Sequence, residues 1–335
     1  MPRSQPNRAQ PALLRSSVDA SAGPATAVVV NPARTVDVGG LRALVLAILS
    51  EAGWPEPLWL ETTPSDPGGG QARAAVEAGA SVVFVSGGDG TVGRVAAVLA
   101  DTESALAVLP AGTGNLLARN LGLPRDTAAA VRLGTRGGRR RIDIGEADGR
   151  VFTVAAGIGF DAQVLALTSP RAKRWLGWPA YVLAGIAHLH EPRFAVSVTL
   201  DGSPTIVRQV RSVLVANVGR FPGGLDLVPG ASPDDGQLDV ALIAPRGVAE
   251  WLWLVNGLAR RRPRAPSVVL LRAREVVVIS DRPQPREVDG DPVEPGSRLT
   301  VSIRARALTV CVPARGPGGP GRPRDSSHAS RAEPR

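Results

Sequence analysis

From residue 25 onward, apolar and polar positions alternate in blocks. ATAVVVNP at 25–32 is a short apolar run closed by a turn signal, and residues 41–52 carry apolar positions at helical spacing. LWLETT at 58–63 is strand-like and stops at the loop 64–70, residues 71–80 return to helical spacing, VVFVS at 82–86 is a strand, 92–100 a helix, and ALAVLP at 105–110 another strand. Strand and helix in alternation predict an α/β domain with an open, mostly parallel sheet.

After residue 143 the pattern changes. VFTVAAGIGF, RFAVSVTLDG, VRSVLVANVG, QLDVALIAP, EVVVISD and RLTVSIRARALTVCV are β-rich, and Asp-Gly turns between alternating runs predict antiparallel hairpins. Two helical insertions, near 171–190 and 246–260, interrupt them. The expectation is an N-terminal α/β domain over 25–145 and a C-terminal antiparallel β-sandwich domain over 146–313. Residues 1–24 and 314–335 are poor in apolar residues and rich in turn formers, so both are expected to be disordered tails.

Charge changes this picture little. The formal net charge is +9, but the two tails contribute +2 and +3, leaving +4 for the folded part, which argues against a nucleic-acid partner. The single cysteine, Cys311, excludes an intramolecular disulfide, and no secretory leader is evident, which points to a cytoplasmic protein. No apolar run reaches the ~20 residues of a spanning helix. His188 and His190 are two apart and His328 is in the tail, so no transition-metal site is indicated.

The candidate chemistry lies in two glycine loops, each directly after a strand. Gly87, Gly88 and Gly90 in SGGDGTVG let the backbone approach phosphate oxygens, with Asp89, Thr91, Val92 and Gly93 opening the next helix. Such a cluster alone also suits a plain strand-to-helix turn. The dinucleotide fingerprint fails on spacing, because Asp101 and Glu103 precede the next strand, and a P-loop fails because no GK[ST] is present. PAGTGN at 110–115, with Thr113, supplies the second loop, and Asn31, Thr62 and Thr63 end the first two strands on the same predicted rim. A polyphosphate suits that rim, and Asp89 beside it implies Mg²⁺ between the negative charges.

These motifs, followed by DIG at 143–145, AAGIGFDA at 155–162, GGLDLVPGASPDDGQLDV at 223–240 and DGDP at 289–292, resemble in order the diacylglycerol-kinase catalytic family. That family includes bacterial soluble lipid kinases and sphingosine kinases, and the likeness spans about residues 25–312. It implies a two-domain lipid kinase with ATP in the interdomain cleft, met by Asn31, Thr62 or Thr63, Gly87 to Gly93, and Thr113. Asp291 matches the family's general base, usually a glutamate, and Asp289, Asp143 and Asp89 match an aspartate, water and Mg²⁺ network. A second, structural Mg²⁺ is implied at the carboxylate of Asp235 with the carbonyls of Ser232 and Gln237. Read without the likeness, those two segments are Asp-Gly turns. The chain departs from the family at Arg94 and Leu116, where many members are acidic.

The expected acceptor is a hydroxyl of diacylglycerol or a related lipid taken from a membrane surface, making the protein peripheral at the inner membrane face. Trp175, Trp178, Trp251 and Trp253 lie in the two helical insertions beside Arg171, Lys173 and Arg174 or Arg260, Arg261, Arg262 and Arg264, a pattern that suits an interfacial helix or, equally, buried tryptophans beside a solvated basic face. A sphingoid-base or glycolipid kinase, and a nucleotide-binding regulatory protein without turnover, stay open, as does a homodimer.

Overall fold

The computed structural model describes residues 23–159, 192–221, 226–259 and 267–314. Most of both tails, the insertion at 171–190, Gly223 and Gly224, and the basic run at 260–264 lie outside the described residues.

Strands β1 (Thr26–Val30), β2 (Leu58–Glu61), β3 (Val82–Gly87) and β4 (Ala105–Pro110) form a parallel sheet in the order β4-β3-β1-β2. Its middle strands are mostly apolar and buried throughout because helices cover both faces. Val29, Val83 and Val85 pack on α2 (Gly69–Glu77), α3 (Asp89–Leu99) and α4 (Leu116–Leu121). Val28, Val30, Val82 and Phe84, on the other face, pack on α1 (Val38–Glu51) and α5 (Thr127–Arg136). The period of two along each strand thus builds two separate cores from one apolar run. Asp37 and Asp126 cap α1 and α5, accepting from Gly40 N and Ala129 N, each at 2.8 Å.

The α/β expectation holds, with one shift that matters at the site. Helix α3 begins at Asp89, not at 92, because extended Gly88 serves as its N-cap and an acidic first-turn residue suits the helix dipole. The short helix α4 has no sequence forecast, since six residues give too little periodicity to read.

β5 (Gly138–Ala147) leads into the second domain, with β6 (Arg150–Phe152), β7 (Ala155–Gly159), β8 (Phe194–Leu200), β9 (Ile206–Val210), β10 (Ser212–Ala216), β11 (Leu238–Ile243), β12 (Val268–Ala273), β13 (Glu275–Val288) and β14 (Asp291–Val312). Their pairings with one another are all antiparallel, and the alternate positions of β8, β13 and β14 face a common core containing Val196, Val198, Val276, Val278, Leu299 and Val301. The helix Val248–Ala259 matches the second predicted insertion.

β14 joins the domains. It pairs with β13 as far as Ser302, bulges at Arg306, and then runs parallel to β4 through Thr309 and Val310 while β5 follows it from Gly138 to Ala147. The domains therefore share one hydrogen-bonded sheet, and the β13–β14 turn is held at a defined height over the α/β domain. Cys311 is buried in that junction, and burial pushes its thiol up to about 11, which disfavours the thiolate.

Candidate active site

Gly87 and Pro110 are register partners at the ends of β3 and β4, so the two glycine loops leave the sheet at the same level. They then pack on each other: a Cβ on Gly112 would stand 2.7 Å from the Gly88 Cα, a distance no side chain tolerates. Asn115 closes the second loop on itself, accepting from Gly112 N at 3.0 Å and donating to Gly112 O at 2.7 Å. Asp89 binds the two loops together, since its Oδ1 accepts from Leu116 N at 2.5 Å and its other oxygen lies against Gly114. Burial raises the Asp89 carboxyl above the usual range, against the pull of amides at Leu116, Asn115 and Asp89 itself and the charge of Arg119.

The other rim residues are placed by the same sheet. Asn31 N donates to Ser86 O and Thr62 N to Val30 O, each at 2.8 Å, and Asn31 Nδ2 donates to the Thr91 hydroxyl at 3.0 Å. Thr62, Thr91 and Val92 are buried supports of the rim. Thr63 is turned into its own loop, where its hydroxyl meets Ser65 Oγ and accepts from Asp66 N. Thr113 is exposed at the tip of the second loop.

Opposite these loops stands the turn between β13 and β14. Gly90 and Gly93, on the first turns of α3, face it: Asp291 Oδ2 is 3.9 Å from where a Gly90 Cβ would be, and Asp289 Oδ2 is 3.3 Å from that of Gly93. The two acids differ in state. Asp289 accepts from Thr153 N (2.8 Å), Thr153 Oγ1 (3.1 Å), Val154 N (2.8 Å) and Ala155 N (3.1 Å), so its carboxylate is saturated by protein donors. Burial nonetheless pushes this carboxyl up to about 6. Asp291 is exposed to the cleft.

Asp143 is held elsewhere. It is fully buried, with Oδ2 accepting from Gly236 N and Oδ1 from Arg306 N, each at 2.7 Å, and its own N–H donates to Pro233 O at 2.6 Å. It thus belongs with the 232–237 turn. There Ser232 Oγ bonds Asp234 Oδ1 at 2.7 Å, Asp234 pairs with Arg140 at 2.6 Å, and Gln237 N donates to Asp235 Oδ1 at 3.1 Å. Burial, with Asp239 and Asp143 nearby, raises the Asp235 carboxyl against the opposing charge of Arg272, whose Nη1 is 3.8 Å away. Arg94 is exposed on α3, and Leu116 presents its backbone N–H to Asp89 while its side chain packs in a core beneath the site.

Three functional groups escaped sequence reasoning. Thr153 supplies two donors to Asp289. Asn217 spans Asp143 O and Thr153 O, at 2.9 and 3.1 Å. Asn120 ties α4 to the second domain through Arg220 N and O. Only Asn217 left a sequence signal, an amide inside the apolar run VLVANVG.

Two glycine loops leaving the sheet at one level thus face an exposed carboxylate on a second domain, an arrangement that suits phosphoryl transfer. Family models agree: the diacylglycerol kinase catalytic domain matches residues 26–147, and the YegS C-terminal NAD kinase beta sandwich-like domain matches 153–312. A YegS-like lipid kinase of Pseudomonas aeruginosa is 34% identical over 261 residues, covering 74% of this chain and 83% of its own length.

The chain belongs to the diacylglycerol-kinase catalytic family of lipid kinases.

A Mycobacterium tuberculosis relative named diacylglycerol kinase is 36% identical over 180 residues, covering 50% of this chain and 57% of its own. A solved Bacillus anthracis structure, titled as a diacylglycerol kinase, superposes with a TM-score of 0.67 at 21% identity, covering 86% of this chain and 97% of that one, which supports the fold. This lipid-kinase family carries out phosphoryl transfer, and among the described residues no helix is long and apolar enough to cross a membrane.

Proposed function

We propose that the protein transfers the γ-phosphate of ATP, with Mg²⁺, to a hydroxyl of diacylglycerol or a related lipid. The observation that carries this reading is the division of labour among the acids: Asp89 sits between the phosphate loops, Asp289 is saturated by donors, and Asp291 is exposed toward Gly90. The relatives' names, lipid kinase and diacylglycerol kinase, support the acceptor class.

In this mechanism the amides at the start of α3 and the 110–115 loop receive the phosphates, with the Thr113 hydroxyl at the loop tip. The acceptor hydroxyl enters from the open side, and Asp291 takes its proton as the bond to phosphorus forms and the bond to the leaving ADP oxygen breaks. Packing of the two loops on each other holds their amides in fixed positions for the phosphates.

The residues fit a divalent cation with the nucleotide. Asp89, set between the two loops, would hold the ion together with phosphate oxygens and water, the hard-oxygen arrangement Mg²⁺ favours. When bound there, Mg²⁺ supplies neutralisation of charge on the transferring phosphate. A second ion at the 232–237 turn would use Asp235 and the carbonyls of Ser232 and Gln237, where the crowding of Asp143, Asp235 and Asp239 against Arg272 leaves negative charge to balance.

The acceptor is met at a membrane surface. Leu252 and Trp253, 45% and 50% exposed on the helix Val248–Ala259, form an apolar exposed edge suited to the lipid boundary. A sphingoid base or glycolipid as acceptor would use the same cleft. Labelled ATP offered with diacylglycerol, sphingosine and phosphatidylinositol tests the proposal: a labelled lipid supports it, and tight MgATP binding without any labelled lipid sinks it.

A further inference from the structure

Glu287 lies on β13, two residues before the Asp289–Gly290 turn, and is 2% exposed. Its register partners are Gly157 on β7 and Pro292 on β14, so it is enclosed by backbone on both sides. A carboxylate so placed is costly unless it is hydrogen-bonded. Its Oε2 accepts from Gly290 N at 2.6 Å.

That bond falls on the one segment whose position matters most for Asp291. Asp289 and Gly290 both have positive φ, 50° and 82°, and the β13–β14 ladder closes at Val288 and Asp291, so Gly290 N lies outside it. Two acids therefore clamp the turn from different directions. Asp289 ties it to residues 153–155, and Glu287 ties Gly290 back to β13. Asp291 follows directly, with only its own two side-chain torsions left to adjust. An aspartate has a short reach, so a backbone displacement at Gly290 cannot be recovered by a change of rotamer.

We propose that Glu287 is a positioning residue for Asp291: it fixes the β13–β14 turn so that the short Asp291 side chain meets the acceptor hydroxyl. This rests on the reading of the cleft as a lipid-kinase site with Asp291 as base.

The test uses the full chain with E287Q, E287L, D291N and the double variant E287L/D291N. E287Q keeps an oxygen that accepts from Gly290 N and retains turnover to within about threefold. E287L lowers kcat by about 30- to 100-fold, the cost of misplacing a reacting group by about 1 Å, with KM for ATP unchanged. In the D291N background E287L costs nothing further, because its effect passes through Asp291. If E287L does not fold, E287D, whose carboxylate is drawn back by one methylene, shows the same pattern at smaller amplitude. An equal loss from E287L with and without Asp291, or a KM for ATP that rises in step with the loss of kcat, means a merely structural role and overturns the proposal. Amide exchange at Gly290 is independent of catalysis: faster exchange in E287L but not in E287Q supports the clamp, and unchanged exchange in E287L overturns it. A wild-type chain that phosphorylates no lipid refutes the kinase reading and the role of Asp291 with it, while the exchange data still decide whether Glu287 holds the turn.

Discussion

Replacing Asp289 with alanine removes the anchor of the β13–β14 turn. The carboxylate satisfies three backbone amides, at Thr153, Val154 and Ala155, which are 2%, 4% and 3% exposed, and the Thr153 hydroxyl besides. A buried donor left without a partner costs about 1–3 kcal/mol, so three amides set a gross loss of about 3–9 kcal/mol. Relief of a buried charge offsets part of this, since burial already pushes the Asp289 carboxyl up to about 6. The expected net destabilisation is therefore near the lower end, about 3 kcal/mol at neutral pH, and about half that for D289N, which keeps one acceptor oxygen. Urea denaturation followed by circular dichroism measures it. The pH dependence has a definite sign. The folded carboxyl titrates above its unfolded value, so its favourable contribution is fully present at low pH and is lost as pH rises through about 6. The stability advantage of the wild type over D289N accordingly shrinks between about pH 4 and pH 7. A D289A loss below about 1 kcal/mol, or an advantage that grows with pH, would refute the anchor.

Other outcomes test the remaining parts. In G112A the new Cβ, 2.7 Å from the Gly88 Cα, forces the phosphate loops apart, and KM for ATP is expected to rise about tenfold in steady-state kinetics. Mg²⁺ should raise the thermal midpoint of the wild type but not of D235N, whose turn loses the carboxylate that would hold the ion. The pair L252S/W253S, altering the exposed edge of the helix Val248–Ala259, should weaken sedimentation with anionic vesicles about tenfold while leaving turnover on detergent-dispersed lipid unchanged.

Much of the fold was legible because period and punctuation agree. VVFV and ALAVL are apolar at every position, the mark of strands covered on both faces, and each runs on into a glycine loop at the same end of the sheet. The course of the two glycine loops was therefore readable down to Asp89. The long-range ties were not. Asp143 reads as one of several acids near glycines, yet its partners are Gly236 and Arg306, 93 and 163 residues away. The state of Asp289 depends on residues 134 to 136 positions earlier, a pairing no local pattern encodes. Glu287 looks like a polar position of a hairpin strand, and only the enclosure by Gly157 and Pro292 shows it to be buried.

The central claim is that Asp291 takes the proton of a lipid hydroxyl as phosphate arrives from ATP, and D291N tests it most directly. Initial rates of lipid phosphorylation, measured beside MgATP affinity, should fall by about 100-fold or more in D291N while the affinity stays at the wild-type value. Full turnover by D291N would contradict the account.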